Sequence, residues 1–295
     1  MSRYLDIFLD GYQGYARYLW HEIAHPGLKN YFYWLVGVSL FFFLLELVHP
    51  WRTKQARIRK DFWLDAFYMF FNFFLFSLVI YNAASDVFVN LFKDFLALFG
   101  VTNLVAVEIG SWPKWVQLLT LFLVRDFIQW NVHRLLHRVP FLWNFHKVHH
   151  SVEQMGFAAH LRYHWMENVV YRFLEYLPLA MIGFSIEDFF IVHVFALAVG
   201  HFNHSNFRLP LGPLKYLLNN PQMHIWHHAK ELPRGYRYGV NFGISLSLWD
   251  YLFGTASIPY DGRDVELGFP GMEEFPHDFV HQNLYGLGAT KPSRG

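Results

Sequence analysis

The chain has 295 residues, 54% hydrophobic, 21% aromatic and only 16% charged, against roughly a quarter charged in soluble domains. This tilts the reading toward a membrane-embedded protein with a polar part outside the bilayer. A formal net charge of +1 gives no electrostatic case for nucleic-acid binding, and the absence of cysteine excludes disulfides, iron–sulfur clusters and thiolate zinc sites.

Residues 1–30, with scattered tyrosines, Trp20, His21 and His25, read as an amphipathic interfacial segment without a secretory signal. Residues 31–48 come close to the roughly 20 apolar residues that a bilayer core requires, with Glu46 as their ionised group. Arg52, Lys54, Arg57, Arg59 and Lys60 follow at once and favour the cytoplasmic side. A second apolar run, 62–81, crosses back, mildly interrupted by Asp65 and Asn72. Residues 84–100 are expected as a shorter apolar helix lying in the interface. After Pro113, a helix is predicted from Trp115 through His137, apolar in its first half and polar on one face in its second. Segments 166–182 and 186–203 form either two spans or a re-entrant hairpin. From Ser205 on the chain is polar and turn-rich apart from 241–254, and 257–295 reads as a soluble tail. No low-complexity linker or fixed-period repeat divides it, so 1–295 is one membrane-embedded unit. If the basic cluster is cytoplasmic and 62–81 and 115–132 each cross once, the histidines from 133 onward return to the cytoplasmic face.

Eight of the 18 histidines fall in three clusters: HRLLH at 133–137, HKVHH at 146–150 and HIWHH at 224–228. Helix positions three and four apart share a face, and imidazole is the commonest neutral metal ligand. His133 with His137, then His146, His149 and His150, then His224, His227 and His228 can therefore each serve a metal. Alone, His133 and His137 are equally readable as an interfacial pair. Protonated neighbours would repel, so three clusters together point to a metal that offsets the crowding. Asp126 and Trp130 extend the first face backward, and Asp126 is expected to hold an imidazole N–H. In AAHLRYHWMEN, His160, His164 and Glu167 are expected on one helical face, while His201 and His204 lie in GHFNHSN. His21, His25, His49, His193, His277 and His281 read as ordinary histidines. Eight to ten imidazoles exceed the about four to six ligands of one metal, so two metals fit. All-nitrogen donors suit zinc, iron or copper; the membrane setting and ligand number favour iron, which can bind and reduce O2.

The blocks DFIQWNVHRLLHRVPFLWNFHKVHHS, RYHWME, HSN with LPLGPLKYLLNNPQMHIWHH, and NFGISLSLWDYLFGT follow one another over 115–256. In order and spacing this region resembles the fatty acid hydroxylase/sterol desaturase superfamily of integral-membrane, histidine-rich di-iron enzymes. The resemblance implies an all-α membrane helical bundle with a cytosolic cap carrying a dinuclear site. It implies His133, His137, His146, His149, His150, His224, His227 and His228 as metal ligands, with His204 and His164 as further ones. His160 and His201 fall outside the motif. Asn241 and Asp250 of the closing block, with Glu167, are implied to steady the ligands, and Trp249 to support them structurally. Two departures, Tyr251 where arginine is frequent and Trp165 where proline is frequent, lie outside the ligand set and bear on substrate contacts.

The implied reaction is O2-dependent oxidation of a lipid C–H bond by two irons, hydroxylation being favoured over desaturation. The substrate would be a sterol, fatty acyl chain, sphingoid base, alkylglycerol or carotenoid. No flavin, haem or iron–sulfur motif is visible, so electrons would come from a separate donor, cytochrome b5-like or ferredoxin-like. Zinc can occupy such a site in purified protein. The membrane would be a bacterial inner membrane or the endoplasmic reticulum. The rival readings are a zinc-dependent membrane hydrolase and a non-catalytic metal- or haem-binding membrane protein.

Overall fold

The computed structural model describes residues 2–288; Met1 and the last seven residues of the expected tail lie outside it. The described residues are helical, with three isolated backbone bridges and no strand. Helix α1 (Ser2–Ala24) lies along the outer helix α4 (Asn82–Ala97). Gly11 allows the approach, because a side chain there would meet Ala83 and Asp86.

Two stretches are long and apolar enough to cross a bilayer among the described residues: α2 (Tyr31–Val48) and Phe62–Val79. Both present large apolar side chains outward, among them Phe41, Leu44 and Val48 on α2 and Trp63, Phe67 and Val79 on the second. Contiguous exposed apolar surface of this kind fits lipid better than water.

The second stretch does not stop where the sequence reading ends it. Helix α3 (Phe62–Phe70) passes through π-helical turns at Phe71–Leu75 and Ser77–Tyr81 straight into α4, so the expected separate interfacial helix over 84–100 is a continuation of the span. No proline or glycine falls between Phe62 and Ala97, and Asn82 and Ser85 alone do not break a helix. The π-turn has a role: Asn72 donates to the carbonyls of Leu161 (3.2 Å) and Tyr163 (2.9 Å) and so holds the connector that leads to α7.

Helix α5 (Lys114–Arg138) starts after Pro113 and ends before Pro140, which opens α6 (Pro140–His150). Helices α7 (Trp165–Ala180) and α8 (Ile186–His204) pack on α5 rather than on each other, and Ser185 with Asp188 makes a capping box at the start of α8. Helix α5 packs on α6, α7 and α8, and α2 packs on α8. The short α9 (Pro221–His227), α10 (Leu248–Leu252) and α11 (Phe279–Leu284) complete the polar end. There Trp51, Val152, Met155, Ile225, Trp226 and Val240 share one apolar core. The expected tail is docked over its described length: Tyr68 of α3 donates to Gln282 at 2.9 Å and accepts from Asn283 at 3.0 Å.

One expected face does not exist. Residues 157–161 make a 3-10 turn and Arg162 is extended, so His160, His164 and Glu167 do not line one helix. The cause is long-range. The Arg162 side chain, 1% exposed, reaches Asp61 and Asp65 (both 3.2 Å) and the Ser151 hydroxyl (2.9 Å), and Arg59 closes on the same Asp65. That buried ion cluster pulls the backbone out of helical register.

Candidate metal centre

Four helices deliver the histidines. Helix α5 carries His133 and His137 one turn apart, and α6 carries His146, His149 and His150. His204 ends α8, and α9 brings His224 and His227, with His228 as its C-cap. The position of α9 is fixed at its start, where the Asn220 side chain accepts from Met223 N at 3.1 Å and Pro221 takes the first helical position.

The structure brings nine of the ten expected ligand residues together in two groups: His133, His137, His146, His150 and His227, and His149, His204, His224 and His228. Within each group the donor nitrogens lie within 4.8 Å of one another. The groups adjoin, since the His150 and His228 rings stack at 4.5 Å.

His164 stands outside both groups. The extended backbone after His160 turns its ring against Phe145 (4.7 Å) and Trp165 (5.5 Å), and its Nδ1 accepts from Met166 N at 3.0 Å.

The proton assignments fit a metal. His133 donates from Nδ1 to the Phe242 carbonyl and His227 to the Val240 carbonyl, both at 2.8 Å. His149 donates to Arg162 O (3.0 Å), His204 to Gly200 O (2.8 Å) and His146 to the Glu167 carboxylate (2.8 Å). A neutral imidazole has one N–H, so each of these rings then keeps a bare lone pair on Nε2. Those lone pairs face each other: His133 and His146 Nε2 are 3.1 Å apart, and His149 and His204 Nε2 are 3.3 Å apart. His137 Nε2 is buried with no partner at all. Facing lone pairs at this range repel unless a cation sits among them, and second partners on Nδ1 are the usual mark of ligating histidines.

Burial also disfavours protonation of rings in both groups. Burial, reinforced by the neighbouring imidazoles, holds His146, His150, His224, His227 and His228 well below the ordinary histidine value, and burial takes His149 down to about 4.

The supporting carboxylates divide. Glu167 binds His146 directly. Asp126 does not hold an imidazole as expected. Its carboxylate accepts from Ser245 N (2.9 Å), Leu246 N (3.2 Å) and Trp249 Nε1 (2.9 Å), because the closing block folds back over that face of α5. Asp250 accepts from Trp130 Nε1 (3.0 Å), Phe242 N (2.9 Å), Gly243 N (2.7 Å) and Thr255 Oγ1 (2.6 Å). It thereby sets the strand of backbone whose carbonyl receives His133. Asn241, at φ +55°, donates to Met223 O (2.8 Å) and Ser257 O (2.7 Å) and ties α9 to that same segment. Sequence reasoning set His160 and His201 outside the ligand motif and gave no part to Arg162 or Gly200. The signal for the last was its place four residues before His204, on one helical face.

A cavity of about 200 Å³ opens beside the histidines. His133, His146, His149, His204 and His224 line one end, and Phe73, Ala196 and Leu197 line its apolar wall. Its other side is polar: Gln129 donates to Glu175 at 2.6 Å, and Arg125 pairs with the same carboxylate at 3.4 Å.

Fold and site together define a helical protein with an apolar outer surface and two buried, metal-competent histidine groups. Residues 118–255 match the family model described as fatty acid hydroxylase, which marks that region as a fatty acid hydroxylase domain. The chain is 30% identical over 161 residues to ornithine lipid hydroxylase OlsE of Rhizobium tropici, covering 55% of this chain and 48% of that protein. Alkylglycerol monooxygenase of Xenopus tropicalis is 28% identical over 222 residues, 74% of this chain and 46% of the relative. The human alkylglycerol monooxygenase is 33% identical over 137 residues, 45% and 29% of the two chains. The match thus spans about half or less of these relatives. No solved structure matches the chain.

Proposed function

We propose that the chain is a multi-pass membrane enzyme that oxidises a lipid C–H bond with O2, at two iron ions held by the five-histidine and four-histidine groups. The observation that carries this is the set of facing, unprotonated Nε2 atoms whose Nδ1 protons are already committed. A bound iron pair would supply the reductive activation of O2, with two electrons from a separate protein donor, so that C–H, O2, two electrons and two protons give C–OH and water.

The protein's own part is positional. Glu167, Asp250 and the carbonyls of residues 162, 200, 240 and 242 aim the imidazoles. The cavity admits a hydrocarbon chain along Phe73, Ala196 and Leu197, and a chain lodged there would displace water from beside the histidines. Its Arg125, Gln129 and Glu175 wall suits the polar part of a lipid. Relatives named for ornithine lipid and alkylglycerol support a substrate that joins a polar group to a long chain. Hydroxylation is the favoured outcome. A zinc hydrolase needs three or four ligands with one open position, and nine gathered imidazoles exceed that.

In this reading the metal groups face the cytoplasm. The basic loop after α2 packs on the histidine-bearing end, with Arg52 donating to Val265 O (2.7 Å) and Lys60 to Glu153 (2.6 Å), and basic loops stay on the cytoplasmic side. The chain has no cysteine, so a single cysteine introduced at Lys54 reports its side by impermeant labelling.

The deciding experiment incubates the purified, iron-loaded protein with a membrane lipid extract, an external reductant and 18O2. Expected is a lipid heavier by one labelled oxygen. Turnover under strict anaerobiosis would favour the hydrolase and overturn the proposal.

A further inference from the structure

We infer that His160 is the fifth ligand of the four-histidine group, reaching it through the gap that Gly200 leaves on α8. The assignment rests on the two-metal reading above and adds a residue that the ligand motif does not contain.

The two groups are unequal, with five histidines in one and four in the other. His204, a member of the smaller group, sits on α8. The side chain one turn earlier on the same face would belong to residue 200, and residue 200 is glycine. The space is filled from elsewhere. A Cβ built on Gly200 would fall inside the His160 ring, with Cε1 and Nε2 its nearest atoms. The 3-10 turn at Phe157–Leu161 thus lays an imidazole where a helical neighbour of His204 would lie.

His160 adjoins the group through His204, its nitrogens lying outside the 4.8 Å spread that unites the other four. Its ring centre is 5.2 Å from that of His204, against 5.1 Å for His149–His204 and 5.4 Å for His204–His228. It lines the same cavity as His149, His204 and His224.

The ring is also held as the other ligands are. His160 Nδ1 meets His201 Nδ1 at 2.9 Å, and His201 Nε2 meets Ser39 Oγ at 3.0 Å. Where the Ser39 hydroxyl turns to Met69 Sδ at 3.4 Å, His201 donates to Ser39 and accepts from His160, the tautomer that the assignment requires. That direction of the chain leaves His160 Nε2 with a bare lone pair on the Gly200 side. His201 then acts as a positioning residue, and Gly200 is the opening both require.

The test measures metal per chain by mass spectrometry on monodisperse full-length protein in detergent, loaded with ferrous iron, together with the rate of loss to a chelator. Four proteins are compared: wild type, His160→Gln, Gly200→His, and His160→Gln combined with Gly200→His. Glutamine keeps the bond to His201 and much of the volume, which protects folding. Expected are two ions in wild type and about one tightly held ion in H160Q, the second leaving roughly tenfold or more faster. The double variant is expected to recover the second ion, because an imidazole at position 200 shares the His204 face and enters the vacated space. G200H alone, whose new ring collides with His160, is expected to lose it. If wild type and H160Q hold two ions with equal chelator resistance, His160 is not a ligand. If wild type holds fewer than two, the dinuclear reading falls first, and this assignment with it.

Discussion

Glu167 accepts the Nδ1 proton of His146 at 2.8 Å with one carboxylate oxygen and the backbone N–H of His164 at 3.3 Å with the other. The first bond fixes the tautomer that turns His146 Nε2 toward His133; the second anchors the carboxylate to the first turn of α7. Replacing Glu167 by Ala frees the ring and weakens metal binding by roughly 10- to 100-fold, the usual effect of losing such a partner. Glu167→Gln keeps an acceptor oxygen and falls between the two. Chelator competition on the purified variants gives the order; an E167A protein that holds metal as wild type does would remove Glu167 from the site's support.

Metal removal should loosen the protein as a whole, because the histidines come from α5, α6, α8 and α9 and the metals would bridge all four. Ligand that binds only the folded state stabilises it by about 4 kcal/mol at a thousandfold excess over its dissociation constant. Chelated protein is therefore expected to melt several degrees lower than loaded protein by scanning fluorimetry. His149→Ala and His227→Ala should shrink that gap and abolish lipid oxidation while the chain still inserts in the membrane. Identical melting curves with and without chelator would leave the facing nitrogens unexplained by a metal.

The ligand clusters were readable because their spacing is local: i, i+3 and i+4 on a helix share a face whatever the rest of the chain does. The same locality explains where reading stopped. Nothing near His160 and His164 announces that Arg162 is drawn 101 residues away to Asp61, which extends the backbone, removes His164 from the cluster and presents His160 instead. Asp126 was placed on the correct face of α5, but its partners Ser245, Leu246 and Trp249 lie about 120 residues on, where no periodicity points to them. The boundary between 81 and 84 failed for a milder reason. An apolar run that turns polar without proline or glycine changes environment, not conformation.

Asp250 is the most heavily used buried carboxylate at the site, with two backbone and two side-chain donors converging on it. Asp250→Ala strands Trp130 Nε1 and the N–H groups of Phe242 and Gly243 in a buried setting, at about 1–3 kcal/mol for each unsatisfied group. The Phe242 carbonyl that orients His133 should move with them. A marked drop in melting temperature accompanied by metal loss is expected. The exposed pair Lys230–Glu266 serves as control, since Glu266→Ala should change stability by less than about 0.5 kcal/mol. A D250A protein as stable as E266A would show that the 242–243 backbone holds its place without the carboxylate.

Ala196 lines the same cavity as five of the ligand histidines. It lines the apolar wall on α8, two turns before His204, and is absent from both ligand groups. Ala196→Trp puts an indole into a cavity of about 200 Å³ while replacing no ligand and no residue that orients one. Metal content should stay at the wild-type level. Lipid hydroxylation should fall by roughly 100-fold, since displacing the reacting carbon by an ångström is enough to cost that much. Short-chain lipids, which need less of the wall, should lose less than long-chain ones, so the ratio of their turnover rates is the informative quantity. A fully metallated A196W protein that oxidises long-chain lipid at the wild-type rate would mean that substrate reaches the metals by another path, and the polar wall of Arg125, Gln129 and Glu175 would lose its proposed part in binding.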